Sequence, residues 1–333
     1  MREIGRSSPS RSRRARPTRA GLAGLAAATL LLSGCGTAQE QAAEQAVASG
    51  APEGPGAGQA VTIGAFDFGE SLALAEVYRQ GLAADGFAAT TQTLSTREVV
   101  EPALEAGDLE VVPEYLATIT DFLHTKLGKP GDSPISNDPA ATMAALEPLA
   151  EEAGLVFYDY AEAQDQNAYV VTREFSEANG ITTVSDLAEY SKSNPVVMSG
   201  AAECAERPQC YLGLQTLYGV TFSGEFVPTD LSGFQARERL ENGDVQVAQF
   251  LSSDGGLDDT LVVLEDDRGL NASDNIIPAV NAEAASPELE ASLNEIHEAL
   301  SQEELIGLNR AVNNERTPPA QAAEAFLEEN GLL

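Results

Sequence analysis

Ala103-Leu104-Glu105-Ala106-Gly107-Asp108-Leu109-Glu110-Val111-Val112-Pro113-Glu114-Tyr115-Leu116-Ala117-Thr118 decides how this chain folds. Its first residues close a helix expected over Arg97 to Ala106, and Gly107-Asp108 is a turn signal. Leu109 to Val112 is a short apolar run, the mark of a strand buried on both faces. A second helix is expected from about Tyr115 to Thr125. On that helix Tyr115 and Thr118 stand three residues apart and share one face. Helix, buried strand and helix within so few residues is the rhythm of an α/β protein.

The same alternation continues on both sides. Val61 to Gly64 is a short strand, and Leu74, Val77, Tyr78 and Leu82 form one face of a helix over Glu70 to Asp85. Ala88 to Thr93 reads as a strand. A Pro, Gly and Asp-rich loop follows Thr125, then a helix over Pro139 to Ala153. A second series starts at Ala168, with strands at Ala168–Thr172, Pro195–Met198 and Val245–Phe250. Its helices are expected near Glu174, after Thr183 with Ser185 as the N-cap, at Tyr211–Tyr218 and at Phe234–Leu240. The tail is helical, with Leu289, Leu293, Ile296 and Leu300 on one face. Ser301 and Glu304 make a capping box, and Pro318 opens the last helix. Such series predict parallel sheets with helices on both faces.

The N-terminus has a different character. Seven arginines precede a 12-residue apolar run, Gly21 to Leu32, and then Leu32-Ser33-Gly34-Cys35. A membrane span needs roughly 20 apolar residues. This reads instead as a secretory leader of residues 1–34, with Cys35 as the lipid-modified first residue of the mature chain. Ser12-Arg13-Arg14 hints at twin-arginine export. Residues 35–60 are mostly Gly, Ala, Gln, Glu and Pro, with almost no large apolar side chain, and are expected to form a flexible tether. A coil of 24 such residues spans about 25–30 Å.

Charge narrows the partners. The whole chain carries −33 at pH 7, and loss of seven Arg and one Glu with the leader takes it to −39. Three lysines, Lys126, Lys129 and Lys192, are all it has. Nucleic acid and anionic lipid surfaces both call for cationic patches, so neither is an expected partner. With Cys35 taken by lipid, Cys204 and Cys210 remain. In an oxidising compartment they are expected to pair, the alternative being two free thiols. No Gly-x-Ser-x-Gly, metal-ligand cluster or Cys/His pairing points to an enzyme, and no cofactor is expected.

Five segments in order carry a resemblance. They are Ile63-Gly64-Ala65-Phe66-Asp67-Phe68-Gly69-Glu70-Ser71; Thr96-Arg97-Glu98 with the stretch quoted first; Asn167-Ala168-Tyr169-Val170-Val171-Thr172 with Ser185-Asp186-Leu187-Ala188; Leu264-Glu265-Asp266-Asp267 with Ile277-Pro278-Ala279-Val280; and Leu308-Asn309 through Ala325-Phe326-Leu327 to Gly331-Leu332. Together they resemble the substrate-binding proteins of ABC importers for glycine betaine, choline and related osmoprotectants.

The resemblance implies a type II periplasmic-binding-protein fold, two α/β lobes joined by two crossovers around a ligand cleft. Lobe 1 would be residues 61–166 and 252–333, and lobe 2 residues 167–251. It implies binding rather than catalysis, with closure driven by tighter binding to the closed state. The partners it implies are a small zwitterionic or quaternary-amine solute and the permease and ATPase subunits of an importer. The protein would act as a monomer held to the outer membrane face by lipid on Cys35.

A quaternary ammonium offers no hydrogen-bond donor, so aromatic faces are its natural partners. Tyr115 matches the family's aromatic after Pro-Glu, and Thr118 its carboxylate-side hydroxyl. Ser71 stands where the family often has Gln, and Thr96 opens a helix whose N–H groups suit an anion. Arg97 is expected mainly to buttress that turn through Glu98 or Glu70. The polar first crossover puts Asp165 and Asn167 at the cleft, and the second puts Ser253 and Asp254 there. Tyr211 and Phe234 are expected in the core of the second lobe more than in a cage. The polar crossover, with no Trp and eight Tyr in the chain, keeps another amine, an amino acid or a thiol-betaine open as the ligand.

Overall fold

Two five-stranded sheets organise the chain in the computed structural model, which describes residues 54–229 and 234–333. The first has the order β2-β1-β3-β10-β4, with β1 Ala60–Phe66, β2 Ala88–Leu94, β3 Val111–Tyr115, β4 Leu155–Phe157 and β10 Ile276–Asn281. The second has the order β7-β6-β8-β5-β9, with β5 Asn167–Thr172, β6 Met198–Gly200, β7 Val227–Pro228, β8 Val247–Leu251 and β9 Leu261–Val263.

Neither sheet is purely parallel, which corrects that part of the expectation. β1 runs parallel to β2 and β3, but β10 is antiparallel to both β3 and β4. β6 runs parallel to β7 and β8, but β5 is antiparallel to β8 and β9. Hydrophobic pattern reports which runs are strands, not the direction in which a crossover delivers them. The chain passes from the first sheet to the second between β4 and β5 and returns between β9 and β10; residues 252–260 join β8 to β9 within the second sheet, which corrects the expected second crossover.

The second sheet also extends past the expected boundary at residue 251. β9 pairs with β5, so the chain rejoins the first sheet only at β10. The folded body likewise starts before residue 61. Gly56 donates to the Asp85 carbonyl at 3.0 Å and Gly58 to that of Gly86 at 3.1 Å, so the last residues of the expected tether belong to the fold. Cys35 and the leader lie outside the described residues.

Helices cover the first sheet: α1 Gly69–Ala84, α2 Arg97–Glu105, α3 Leu116–Lys126 and α4 Pro139–Ala153. α4 begins where Asp138 accepts from the Ala140 N–H at 3.0 Å and ends at Gly154 in the left-handed region, φ 70°. The second sheet carries α5 Arg173–Asn179, α6 Val184–Ser191 and α7 Phe234–Glu241. Thr183, not Ser185, caps α6, and Asp186 closes the capping box. A helical turn at Tyr211–Gly213 continues as a π-helix over Leu214–Tyr218. α8 Pro287–Ala299, α9 Gln302–Asn309 and α10 Pro319–Glu329 return to the first sheet.

Each sheet has its own core. Ile63, Val111, Val112, Ile276 and Val280 are fully buried in the first, and Val170, Val171, Val247 and Phe250 in the second. Each such side chain contributes about 1.5–3 kcal/mol by leaving water. In α8, Leu289, Leu293 and Ile296 form the buried stripe, as their spacing predicts.

One shift matters for the site. The strand in the deciding stretch is Val111–Tyr115, not Leu109 to Val112, and Tyr115 ends it. Its five residues pair with β10 from Val111↔Val280 to Tyr115↔Ile276, which sets Pro113 opposite Pro278. Long-range pairing thus keeps Glu114 and Tyr115 extended, where local reading makes Tyr115 a helix start. Tyr115 and Thr118 therefore do not share a helix face.

Candidate functional site

A cavity of about 430 Å³ opens where the first crossover and the β8–β9 connection meet the start of α1 and the end of α9. Phe68, Glu70, Asp165, Ser253, Asp254 and Asn309 are among its lining residues. Its volume lies within the range of roughly 300–1,000 Å³ usual for small-molecule sites. A larger groove of about 1120 Å³ lies between α5, α7 and Asp259-Thr260, at the opposite end of β5 from the first crossover. None of the cavity's lining residues reaches it.

Hydrogen bonds tie the cavity's floor together. Glu70, in the first turn of α1, accepts from the Tyr115 hydroxyl at 2.7 Å and from Asn309 Nδ2. The same Asn309 nitrogen donates to the Ser253 carbonyl at 2.9 Å. Ser253 Oγ donates to Asp165 Oδ1 at 2.7 Å, linking the β8–β9 connection to the first crossover. Gln166 and Ser252 exchange two further bonds beside it, at 3.0 and 2.8 Å. Gly69 permits the close approach of Asn313, whose Oδ1 lies 2.0 Å from where a Cβ would stand.

Phe68 closes one wall. It is 44% exposed, yet its ring stacks at 6.0 Å on Phe66 and lies 6.4 Å from Tyr115. An aromatic face left open inside a cavity is suited to a cation or an apolar group.

The electrostatics are those of crowded acids. Burial raises the Glu70 pKa. Burial, then the charge of Glu70, pushes Asp165 well above the usual carboxylate range. Burial, then Glu70 and Asp165, pushes the Tyr115 phenol up as well. Burial lifts Asp274 to about 6. Among the described residues, no Lys, Arg or His lines this cavity.

The expected site residues divide. Asp165, Ser253 and Asp254 line the cavity, and Tyr115 lies beneath it through Glu70. Ser71 is fully buried and its Oγ accepts from the Phe66 N–H at 2.8 Å, closing the β1–α1 turn. Thr96 is exposed at the N-cap of α2. Asn167 is held within the second lobe by Gln249 Nε2 at 2.7 Å and the Gln209 carbonyl at 3.3 Å. Thr118, in the first turn of α3, donates its hydroxyl to Asp274 Oδ2, and the Ala117 and Thr118 N–H groups donate to Asp274 Oδ1 at 2.8 and 3.0 Å.

Arg97 buttresses as expected, but through Glu114: Nε–Oε1 is 3.0 Å and Nη2–Oε2 2.8 Å, with the guanidinium over Phe66. Tyr211 packs in the second lobe on Phe222 at 4.3 Å and Phe226 at 5.2 Å. Phe234 is 74% exposed and belongs to no core, because it opens α7 at the surface. Cys204 and Cys210 form a disulfide.

Phe68, Glu70, Asn309 and Asp274 join the site without having been singled out for ligand contact. Phe68-Gly69-Glu70 did carry a signal, an exposed aromatic and an acid at a helix start. Asp274 carried none, since its partner Thr118 lies 156 residues away.

Similarity to known proteins agrees with this architecture. The family described as the substrate binding domain of the ABC-type glycine betaine transport system matches residues 59–329. The chain is 28% identical over 288 residues to a glycine-betaine-binding protein of Pseudomonas aeruginosa, covering 83% of this chain and 89% of the relative. Its fold resembles a crystal structure described as a glycine betaine/carnitine/choline ABC transporter, with a TM-score of 0.72, 24% identity and coverage of 83% and 99% of the two chains. It also resembles ligand-free YehZ of Escherichia coli, with a TM-score of 0.72, 20% identity and coverage of 82% and 99%. Lactococcal OpuAC, closed on glycine betaine, is similar with a TM-score of 0.51, 14% identity and coverage of 82% and 96%. The fold is thus the expected type II periplasmic-binding-protein class, and the chain belongs to the substrate-binding family of ABC-type glycine betaine transport systems.

Proposed function

We propose that the protein captures a small quaternary-amine solute in the cavity at the first crossover and passes it to the permease and ATPase subunits of an importer. The observation that carries this reading is the half-exposed Phe68 lining a cavity that Glu70 and Asp165 also line. Aromatic faces and carboxylates are the two groups that stabilise an ammonium without needing a donor from it. Tyr115, Asp165, Ser253 and Asp254 set the shape and charge of this site. Ser71, Thr96, Thr118 and Asn167 position its surroundings.

Capture at a crossover couples binding to motion. A ligand touching Asp165 on the first crossover and Ser253 at the end of the second sheet has different contacts in open and closed forms, and that difference drives closure. Lipid on Cys35 holds the mature monomer to the outer face of the membrane. Among the described residues, no helix is long and apolar enough to cross a membrane, so this reading places attachment at the N-terminus.

A melting-shift screen tests the ligand class. A quaternary amine at 100 times its Kd adds about 2.7 kcal/mol of stability. No shift by any quaternary amine at millimolar concentration contradicts the reading. Release of a Cys35→Ala protein from the cell surface into the medium tests the anchor, and retention would contradict it.

A further inference from the structure

Resting on the proposed capture of a quaternary amine, the geometry points to a narrower ligand class: a cation with no carboxylate of its own, such as a quaternary amino alcohol, in preference to a zwitterion.

Two independent observations converge on it. The first is the position of Asp274. Thr118 lies in the first turn of α3. The first N–H groups of a helix are a natural anion site. Here the chain's own carboxylate fills that place. Asp274 Oδ1 accepts from Ala117 N and Thr118 N at 2.8 and 3.0 Å, and Oδ2 accepts from the Thr118 hydroxyl. These three donors are therefore spent internally on a carboxylate of the chain itself. Arg97 is spent too, since its fork is held by both oxygens of Glu114.

The second is the balance of charge and aromatic surface in the cavity itself. Glu70, Asp165 and Asp254 line it, while none of its described lining residues is Lys, Arg or His. Arg310 lies behind the wall, its guanidinium given to the Gly255 and Leu257 carbonyls at 3.0 and 2.8 Å. Asp274 stands directly behind Asp165, its carbonyl accepting from the Asp165 N–H at 3.0 Å. Phe68 supplies the open aromatic face, so the acids are not the only feature directed at a ligand. A trimethylammonium group meets Phe68 and three acidic side chains there. A carboxylate carried with it would meet those same acids and no Lys, Arg or His among the described lining residues.

Choline and glycine betaine share the trimethylammonium group and differ in hydroxyl against carboxylate, so they make the comparison direct. Calorimetric titration of the mature chain at pH 7.5 is expected to give choline a Kd at least tenfold lower than that of glycine betaine. A smaller ratio, or a preference for glycine betaine, overturns this inference while leaving quaternary-amine capture standing. Binding of neither overturns both. Asp274→Asn weakens the internal acceptor and removes its charge, and it is expected to lower the choline-to-betaine ratio at least fivefold. Asp165→Asn tests the same preference from the cavity wall, and it is expected to reduce choline affinity more than betaine affinity. An unchanged ratio in folded forms of both variants shows that these carboxylates do not set the preference. The wild-type ratio decides the matter even where a variant does not fold.

Discussion

The Tyr115 hydroxyl donates to Glu70 Oε1 across 2.7 Å, fastening the end of β3 to the first turn of α1 under the cavity. Both residues are buried, so neither end of this bond is readily replaced by water. Tyr115→Phe keeps the ring near Phe68 but leaves Glu70 short of one donor. Removing one partner of a buried bond costs about 1–3 kcal/mol. Urea unfolding of the ligand-free protein is expected to show a loss of that size with an unchanged m-value. A variant as stable as the parent would mean that Glu70 does not depend on this donor.

Phe68→Ala acts on binding rather than on the fold. The side chain is 44% exposed, and exposed substitutions usually shift stability by no more than about 0.5 kcal/mol. One cation–π face contributes about 0.5–2 kcal/mol, which is roughly 2- to 30-fold in Kd. Titration with a quaternary amine is expected to show that loss with little change in melting temperature. Full affinity in the alanine variant would remove Phe68 from the site.

His297 predicts a pH dependence. It is fully buried in the first core, its Nε2 paired with the Tyr78 hydroxyl at 2.5 Å, and burial lowers its pKa from 6.5 to about 3. Between these values the unfolded chain binds the proton and the folded chain does not. Stability from this residue is therefore full above about pH 6.5 and falls as pH drops toward 3. At pH 5 the loss is about 2 kcal/mol, from 1.36 kcal/mol per unit. Glu70, Asp165 and Asp274 act in the opposite sense, because their raised folded pKa values favour the folded state as pH falls. Comparing unfolding of the parent and His297→Gln at pH 5 and pH 7.5 isolates the histidine. Parallel pH profiles would contradict its burial as a neutral ring.

The Cys204–Cys210 bridge closes a loop with a sequence separation of 6 beside Tyr211. Loop-closure entropy for so short a ring gives about 2 kcal/mol. Reduction, or the paired Cys204→Ser and Cys210→Ser variant, is expected to lower unfolding stability by about that amount. Binding in the cavity beside Phe68 and Asp165 should persist. Stability unmoved by reductant would show that the loop is held by its packing alone.

The fold class was readable from the sequence because each element announces itself locally. The stripe of Leu289, Leu293 and Ile296, the Ser301 cap and the limits of Pro139–Ala153 all follow from spacing and capping. Sheet direction was not readable. Antiparallel β10 and β9 arise from where the connections deliver the chain, which no local pattern encodes. The site was legible in the same uneven way. Asp165 stands on the first crossover, which the rhythm of the chain locates, whereas Ser253 and Asp254 follow β8 on a connection that stays in the second sheet until β9. Ser71 and Thr118 have suitable chemistry, but Phe66 N–H and Asp274 engage it first. A hydroxyl's availability depends on such distant or backbone partners, and residue type alone does not report them.

The cavity lined by Phe68, Glu70, Asp165 and Ser253 is the proposed capture site for a quaternary amine. Calorimetric titration of the mature chain with choline and glycine betaine, repeated on a Phe68→Ala, Asp165→Asn double variant, tests it most directly. The account predicts one site per chain in the parent, with choline the tighter ligand, and at least a tenfold loss of choline affinity in a double variant that still folds. No binding of either ligand by the parent, or unaltered affinity in the double variant, would contradict it.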